Sequence, residues 1–444
     1  RPLPRGTAHR MTTIEATGSA PPPGVAVALP AGSARFLGPV DAFWALLIRG
    51  ALLLMVTLGI YRFWLATDIR RYLWANTEIA GDGLEYLGTA RELLIGFLTA
   101  IAILVPVYAG FFLAALDSGP GGRWVSVIAF LLLAVLGQFA AYRARRYRLT
   151  RTIFRGLRFH QTGSGWRYAI CAMFWWILSA VTLGLAYPWG QASLERYKMR
   201  NTYYGDLQGR FVGSGARLLL RGLPLWIVTV LPLLLGILVP AFTVDWEAIP
   251  DMVKGGGADF GKFEGANPAL AAALVLPGLA VAWTLIAGAL LYPAFQGIVL
   301  KWWVAGLRFG DVTVATRLRK RSVYGVYMRF LWHSLAFGVV IGIVAAILLA
   351  AVGGGLTVLD TDGTLGRSTA VEIGMIAATV VVYVAMMLGF SAIFQATVRI
   401  GLWRVGFESI EVHGLAALDR VKAVAQPSTA LGEGLADALN VGGY

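Results

Sequence analysis

The sequence is poor in cysteine, in charge and in recognisable catalytic motifs. Cys171 is the one cysteine among 444 residues, and only 14% of the residues are charged. A single thiol excludes a disulfide within the chain and a cysteine-rich metal site. The four histidines are scattered, and the sequence has no His-Glu-x-x-His pair, Walker lysine loop or Gly-x-Ser-x-Gly elbow. We therefore expect neither an enzyme nor a bound metal or cofactor.

Hydrophobic residues are abundant instead. They make up 57% of the chain, and the mean hydropathy of +0.68 is far above the range of soluble proteins. Six windows approach or exceed the roughly 20 apolar residues that cross a bilayer as a helix. They are 91–116, 124–142, 217–242, 269–300, 325–352 and 370–397, with shorter apolar runs at 41–60 and 168–186. Long apolar runs favour helices over membrane-barrel strands, which predicts an all-α, multi-pass membrane protein.

The net charge of +14 is concentrated in particular loops. Lysine and arginine cluster at 62–91, 142–159, 196–217 and 301–321, whereas the loops 117–123, 243–268 and 353–369 are acidic or contain few basic residues. The positive-inside rule places the basic loops in the cytoplasm, and both termini are expected there as well. Because the charge follows membrane topology, we expect no nucleic-acid partner.

A repeat with a shift of 125 residues organises the chain. Thr57-Leu58-Gly59, Trp64, Arg71-Tyr72, Asn76-Thr77 and Gly88 recur without a gap as Thr182-Leu183-Gly184, Trp189, Arg196-Tyr197, Asn201-Thr202 and Gly213. A third unit is indicated by the Arg-Phe pair at 308–309, which matches the pairs at 35–36 and 158–159. The chain then divides into a disordered tail (1–34), a first unit (35–142), a basic cytoplasmic segment with the second unit (143–300), a degenerate third unit (301–415) and a flexible tail (416–444).

The short apolar run 168–186 conflicts with the charge rule, because basic segments flank it on both sides. A re-entrant hairpin removes the conflict if the chain turns back at Thr182-Leu183-Gly184, where glycine permits a tight reversal. The repeat implies the same geometry for 41–60. This interpretation gives six full crossings and two re-entrant or short helices; the alternative is eight crossings.

These motifs together resemble the YjgN-like family of bacterial inner-membrane proteins, which is defined by a domain of unknown function, number 898. The resemblance covers roughly residues 35 to 415. The basic segment 147–169 also resembles that family's central motif, although Phe154 stands where the family usually has tryptophan before Arg-Gly. The resemblance implies a multi-pass protein of the bacterial inner membrane and implies no activity.

Two groups of polar residues are candidates for a functional site. The first, Arg71, Tyr72, Asn76, Arg196, Tyr197 and Asn201, could bind an anion or a lipid headgroup between the two units, or could only anchor the chain at the interface and cap the helices that follow. The second is Arg329 and His333, which share one helix face and could line a path or simply snorkel and pair with a neighbouring helix. Gln138, Gln296, Gln395 and Glu372 could join a polar interior.

Two classes of function agree with these features. Repeated units, broken helices and intramembrane polar groups favour a transporter or channel for a small or lipid-like anionic solute. The long basic segment 142–159 favours a non-enzymatic scaffold or a lipid-interacting partner protein. Membrane lipids with anionic headgroups are the expected partners, whereas a protein partner is not indicated. A polar cavity where the units meet would favour transport.

Overall fold

The computed structural model describes residues 32–116, 120–243, 268–359 and 367–424. Within them the chain forms long helices that alternate with short strands. In chain order the helices are α1 (Val40–Val56), α2 (Arg62–Ala75), α3 (Ala90–Ala115), α4 (Pro120–Thr150), α5 (Gly165–Val181), α6 (Tyr187–Arg200), α7 (Gly215–Thr243), α8 (Pro268–Gly306), α9 (Lys320–Leu359), α10 (Arg367–Phe394) and α11 (Ile400–Glu408). A single π-helical turn, Gln395–Arg399, joins the last two, and a 3-10 helix, Leu415–Arg420, follows.

The expectation of an all-α fold is wrong, because ten strands form a closed antiparallel barrel. The strands are β1 (Gly32–Phe36), β2 (Thr77–Ile79), β3 (Asp82–Tyr86), β4 (Thr152–Phe154), β5 (Leu157–Gln161), β6 (Thr202–Tyr204), β7 (Leu207–Phe211), β8 (Leu307–Phe309), β9 (Val312–Thr316) and β10 (Ile410–His413). Each pairs with the strands next to it in sequence, and β1 pairs with β10 to complete the ring. Closure leaves no free strand edge.

The barrel and the helices share an approximate fivefold repeat. Four hairpins, each a three-residue strand, a two-residue turn and a five-residue strand, alternate with helix pairs, and β10 with β1 forms the fifth strand pair. The five-residue strands end opposite the first residues of the next short strands in one register: Phe36–Thr77, Tyr86–Thr152, Gln161–Thr202, Phe211–Leu307 and Thr316–Ile410. All turns therefore lie at one rim, and all five helix pairs leave from the other.

The helix pairs are of two kinds. Six helices are long and apolar enough to cross a membrane, the number of crossings that the sequence predicted, and they form three long pairs: α3–α4, α7–α8 and α9–α10 with α11. The other two pairs, α1–α2 and α5–α6, contain helices of 17 and 14 residues. The short pairs are the two Thr-Leu-Gly units of the 125-residue repeat.

The Thr-Leu-Gly breaks have the same geometry in both units. Leu58 and Leu183 each have φ of 50°, and the glycines that follow have φ of 91° and 89°. Positive φ at two consecutive residues reverses the chain, and the glycine adopts it without steric cost. The threonine hydroxyls accept from a backbone N–H four residues later at 3.0 Å in both units. Each break is therefore a compact turn between two short helices.

The boundaries of the sequence-derived units differ from those of the structure. Residues 32–34, assigned from sequence to the tail, form part of β1, whereas 1–31 lie outside the described residues. The Arg-Phe pair at 308–309 lies in the short strand β8, while the pairs at 35–36 and 158–159 lie in five-residue strands, so the three pairs are not equivalent. Five hairpin and helix-pair units replace two full units and a degenerate third, because one 125-residue repeat contains two of them.

A C-terminal strap, residues 414–424, crosses the turn rim of the barrel. Lys422 exchanges two hydrogen bonds with Asp206 in the β6–β7 turn, at 3.1 and 3.0 Å. Asp419 pairs with Arg155 of the β4–β5 turn at 3.2 Å. Leu418 and Val421 pack against the aromatic core of the barrel. Residues 416–424, which the sequence assigned to a flexible tail, thus lie across this rim, and 425–444 lie outside the described residues.

Candidate functional site

The tyrosines of the first candidate group hold helix pairs together. The Tyr72 hydroxyl donates to Pro39 O, and the Tyr197 hydroxyl donates to Ser164 O at 2.8 Å. Each acceptor immediately precedes the first helix of the same pair. Burial, and secondly the nearby Asp41 carboxylate, raise the pKa of Tyr72. Both tyrosine hydroxyls therefore join the second helix of a short pair to the start of the first helix.

The asparagines connect helix ends to the barrel. The Asn76 amide donates to Tyr72 O at 2.8 Å and the Asn201 amide to Tyr197 O at 2.7 Å. Their backbone carbonyls accept from Leu37 N and Thr162 N, at 2.9 and 2.8 Å. The expectation that the Asn-Thr pairs cap the following helix is wrong, because both asparagines close the helix that precedes them.

Arg71 and Arg196 are exposed at equivalent positions of α2 and α6. Arg71 donates to Gly88 O at 3.0 Å, directly after strand β3. The β4–β5 hairpin stands between the hairpins that α2 and α6 lead into, so the structure does not bring the two arginines into one site. They belong to two separate copies of the same local arrangement.

Arg329 and His333 lie on α9 with exposed side chains. The His333 Nδ1 is 2.7 Å from Arg329 O, and its ring stacks on Trp44 of α1 with a centroid distance of 6.3 Å. The Arg329 Nε donates to Gly325 O at 3.2 Å. These contacts hold the histidine against a neighbouring helix.

Sequence reasoning missed an axial cavity of about 960 Å³. The second or last helix of each pair leads back to the barrel, and we call these five the returning helices (α2, α4, α6, α8 and α11). All five returning helices and seven strands contribute side chains to the lining, which places the cavity in the barrel interior and in the space between the helices above it. The lining is largely aromatic and aliphatic. One apolar residue per returning helix, three positions before the strand, lines the cavity: Trp74, Leu149, Met199, Val304 and Phe407.

A few polar groups face this apolar space. Arg145 of α4 donates to Thr202 Oγ1 at 3.0 Å and to Gln161 Oε1 at 3.3 Å. Arg399 and Gln395 reach the cavity from the π-helical turn, and a π bulge in a helix is frequent at functional sites. Gln296 of α8 also lines the cavity and donates to the Tyr292 hydroxyl at 2.7 Å. Two of the glutamines expected in a polar interior thus share one cavity.

The equivalence of the cavity residues becomes visible only when the returning helices are aligned on the strands that follow them. Arg145 lies in a basic segment that the sequence assigned to topology, and its neighbours Arg143 and Arg146 do not line the cavity. Among the described residues, no group of three or more His, Cys, Asp or Glu side chains is arranged to hold a metal ion. The cavity lining is largely apolar, and its polar side chains include two arginines, two glutamines and two threonines.

The comparisons with known proteins agree with the membrane assignment. The model of a family described as bacterial protein of unknown function, DUF898, matches residues 32–438. Two similar relatives, both called inner membrane protein YjgN, come from Escherichia coli strain K12 and from Escherichia coli O157:H7, at 29% and 28% identity over 177 residues. Each match covers 38% of this chain and 40% of the relative. No solved structure matches.

Proposed function

We propose that the chain, which belongs to the DUF898 family of bacterial proteins of unknown function, binds an amphipathic anion in the axial cavity and conducts it through the inner membrane. Membership of this family implies no activity. The observation that carries the proposal is the cavity of about 960 Å³ with two arginines in a largely apolar lining.

The chemistry of the lining selects a solute with an apolar chain and an acidic head. Apolar side chains such as Phe295, Val299 and Phe407 favour an acyl or aryl group, since burying it removes apolar area from water. Arg145 and Arg399 supply the fixed positive charge and the planar donors that suit a carboxylate or phosphate. A purely polar ion would lose its hydration in this cavity without enough donors to replace it.

The placement of charge supports a cytoplasmic barrel. Basic residues gather at the barrel end of the helices, as in Arg143, Arg146 and Arg148 of α4, and the positive-inside rule assigns such ends to the cytoplasm. The six membrane-capable helices then extend from the barrel through the bilayer, while the two short pairs enter and return. Both termini follow the barrel to the cytoplasmic side.

Binding is tested by quenching of tryptophan fluorescence. Trp74, Trp303 and Trp403 line the cavity, so a brominated fatty acid such as 9,10-dibromostearate should quench them when it enters. Loss of one charged donor costs about 1.5 kcal/mol or more, which is about tenfold in affinity. Arg145→Gln and Arg399→Gln should each weaken quenching by that factor. Arg143→Gln, on the same helix but outside the lining, is the matched control.

Conduction is tested with an acyl-labelled fluorescent lysophosphatidic acid in proteoliposomes. Wild-type protein should accelerate its exchange between leaflets, and Arg399→Gln should lower the rate while Arg143→Gln does not. Binding without accelerated exchange would favour the second candidate, a lipid-interacting scaffold, which the ordered barrel with its covered turn rim also fits. Quenching that is equal in all variants would refute the cavity as the binding site.

A further inference from the structure

The fivefold register exposes a charge pattern that the linear sequence hides. When the returning helices are aligned on the first residue of the strand that follows, the position six residues earlier is basic in every one. The five residues are Arg71 on α2, Arg146 on α4, Arg196 on α6, Lys301 on α8 and Arg404 on α11. We call this set the basic collar.

The pattern is specific to one position of the helix. The position before the collar holds Arg, Arg, Glu, Leu and Trp in the five helices (70, 145, 195, 300 and 403), and the position two residues after it holds Leu, Arg, Lys, Trp and Gly (73, 148, 198, 303 and 406). Lysine and arginine are 38 of 444 residues, so five basic residues at one fixed position are not expected from composition. A general excess of basic residues at helix ends would not single out this position.

In four of the five helices, the residue after the collar cation fixes the rotation of the helix. In four pairs it is an aromatic donor directed to the start of the partner helix: Tyr72 to Pro39 O, Tyr147 to Glu92 Oε2 at 2.6 Å, Tyr197 to Ser164 O at 2.8 Å and Trp302 to Ser214 O at 3.0 Å. Adjacent helix positions differ by about 100° in direction. In these four helices the collar cation therefore does not point at the partner helix of its own pair.

The collar cations are accessible and mostly lack carboxylate partners. Arg71, Arg196 and Lys301 are exposed, and Arg146 is partly exposed. Within the described residues none of these four forms an ion pair, whereas Arg404 Nε pairs with Glu408 Oε1 at 3.8 Å. The Arg404 guanidinium also lies 5.4 Å from the Phe36 ring. Four of the five charges therefore remain without protein neutralisation.

The collar also lies at the level where a bilayer ends. Arg146, Lys301 and Arg404 occupy the last turns of membrane-capable helices, a few residues before the barrel begins. Arginine and lysine at such positions extend to the headgroup region, where acidic lipids attract them by about 1 kcal/mol per charge.

We propose that the basic collar binds the headgroups of acidic phospholipids around the barrel at the cytoplasmic face of the membrane. Each gap between neighbouring helix pairs presents one cation, and the phosphate of an acidic lipid supplies the negative charge that neutralises it. Arg404 contributes least, since Glu408 already neutralises part of its charge. This lipid belt surrounds the outside of the protein and is independent of solute binding in the axial cavity.

The test measures lipid binding to the full chain in a zwitterionic detergent. The probe is phosphatidylglycerol, with phosphatidylcholine as the zwitterionic lipid and inorganic phosphate as the free anion. Binding is counted by native mass spectrometry. About 1 kcal/mol per cation corresponds to about fivefold in affinity, so Arg196→Gln alone should weaken phosphatidylglycerol binding at its site by that factor.

The decisive comparison is between two quadruple variants with the same loss of charge. The collar variant replaces Arg71, Arg146, Arg196 and Lys301 by Gln, and the control replaces four exposed basic residues outside the collar by Gln: Arg35, Arg158, Arg200 and Arg210. The collar variant should lose nearly all preference for phosphatidylglycerol over phosphatidylcholine, while the control keeps it. Inorganic phosphate should displace neither lipid at equal concentration.

Two results overturn the proposal. One is an equal loss of phosphatidylglycerol binding in the collar variant and the control, which would show that binding depends on net charge and not on the collar positions. The other is unchanged binding in the collar variant. If the quadruple variant does not fold, the exposed single variants Arg196→Gln and Lys301→Gln decide, and unchanged binding in both refutes the collar. Quenching of the cavity tryptophans by dibromostearate is measured in parallel. A loss of quenching without a loss of phosphatidylglycerol binding would bear on the proposed function of the axial cavity and not on the collar.

Discussion

Gly205 offers a way to lift the C-terminal strap without touching the strap itself. The residue lies in the β6–β7 turn with φ of 57°, and a Cβ there would overlap Lys422 O and the Val421 side chain. Gly156 is the matched control, because its φ is 75° but a Cβ would meet nothing within 4 Å. Both alanine variants therefore carry backbone strain, and only Gly205→Ala must displace the strap.

The expected sizes follow from the contacts. Left-handed backbone costs an alanine about 1 kcal/mol in either turn. Displacing the strap also breaks the two hydrogen bonds between Lys422 and Asp206, each worth about 1 kcal/mol net. Gly156→Ala should therefore lower the free energy of unfolding by about 1 kcal/mol and Gly205→Ala by about 3 kcal/mol.

The assay combines chemical unfolding in detergent with trypsin cleavage. Trypsin should cut after Lys422 faster in Gly205→Ala than in the wild type, while Gly156→Ala should resemble the wild type. A chain that ends at residue 413 removes the strap, and there the two alanine variants should differ by less than about 0.5 kcal/mol, as expected for uncoupled sites. Equal destabilisation of the two full-length variants would refute the reasoning, as would a difference that survives truncation.

Three further predictions concern the barrel, the breaks and the topology. Burial, and secondly the positive charge of Arg146, lower the pKa of His160 in the folded protein. As the pH falls below about 6.5, the unfolded state therefore takes up a proton before the folded state does, and thermal stability should fall. His160→Gln should flatten this pH dependence. Leu58→Pro should destabilise by more than about 1 kcal/mol in chemical unfolding because proline cannot adopt the positive φ, whereas Leu58→Gly should fold normally. Cysteine in place of Ser164, with the native cysteine replaced by serine, should react with an impermeant thiol reagent in inverted vesicles only; labelling in intact cells would reverse the orientation.

The sequence predicted the features that depend on local chemistry. The apolar lengths gave six crossings, and the structure has six membrane-capable helices. The 125-residue shift correctly paired Leu58 with Leu183, whose φ angles agree. These successes share a cause, because helix length and the glycine turn are set by neighbouring residues.

The barrel was missed because its strands are too short to carry a pattern. Three-residue strands such as β2 and β8 cannot show alternation, and the helix pairs between hairpins differ in length, so no single period reveals five units. The cavity was missed for the same reason: Trp74 and Phe407 become equivalent only after their strands are aligned. Pairing of Ser33 with Glu411 joins positions that no local rule connects.

The seam between β1 and β10 has a consequence for biogenesis. Because β1 lies at residues 32–36 and β10 at residues 410–413, the barrel stays open while the chain is synthesised and all six membrane-capable helices are inserted. Until β10 emerges, β1 and β9 each present an unpaired strand edge, the kind of surface that pairs with other strands and favours aggregation. The ring therefore closes last, and its closure requires every strand between β1 and β10 to be in place.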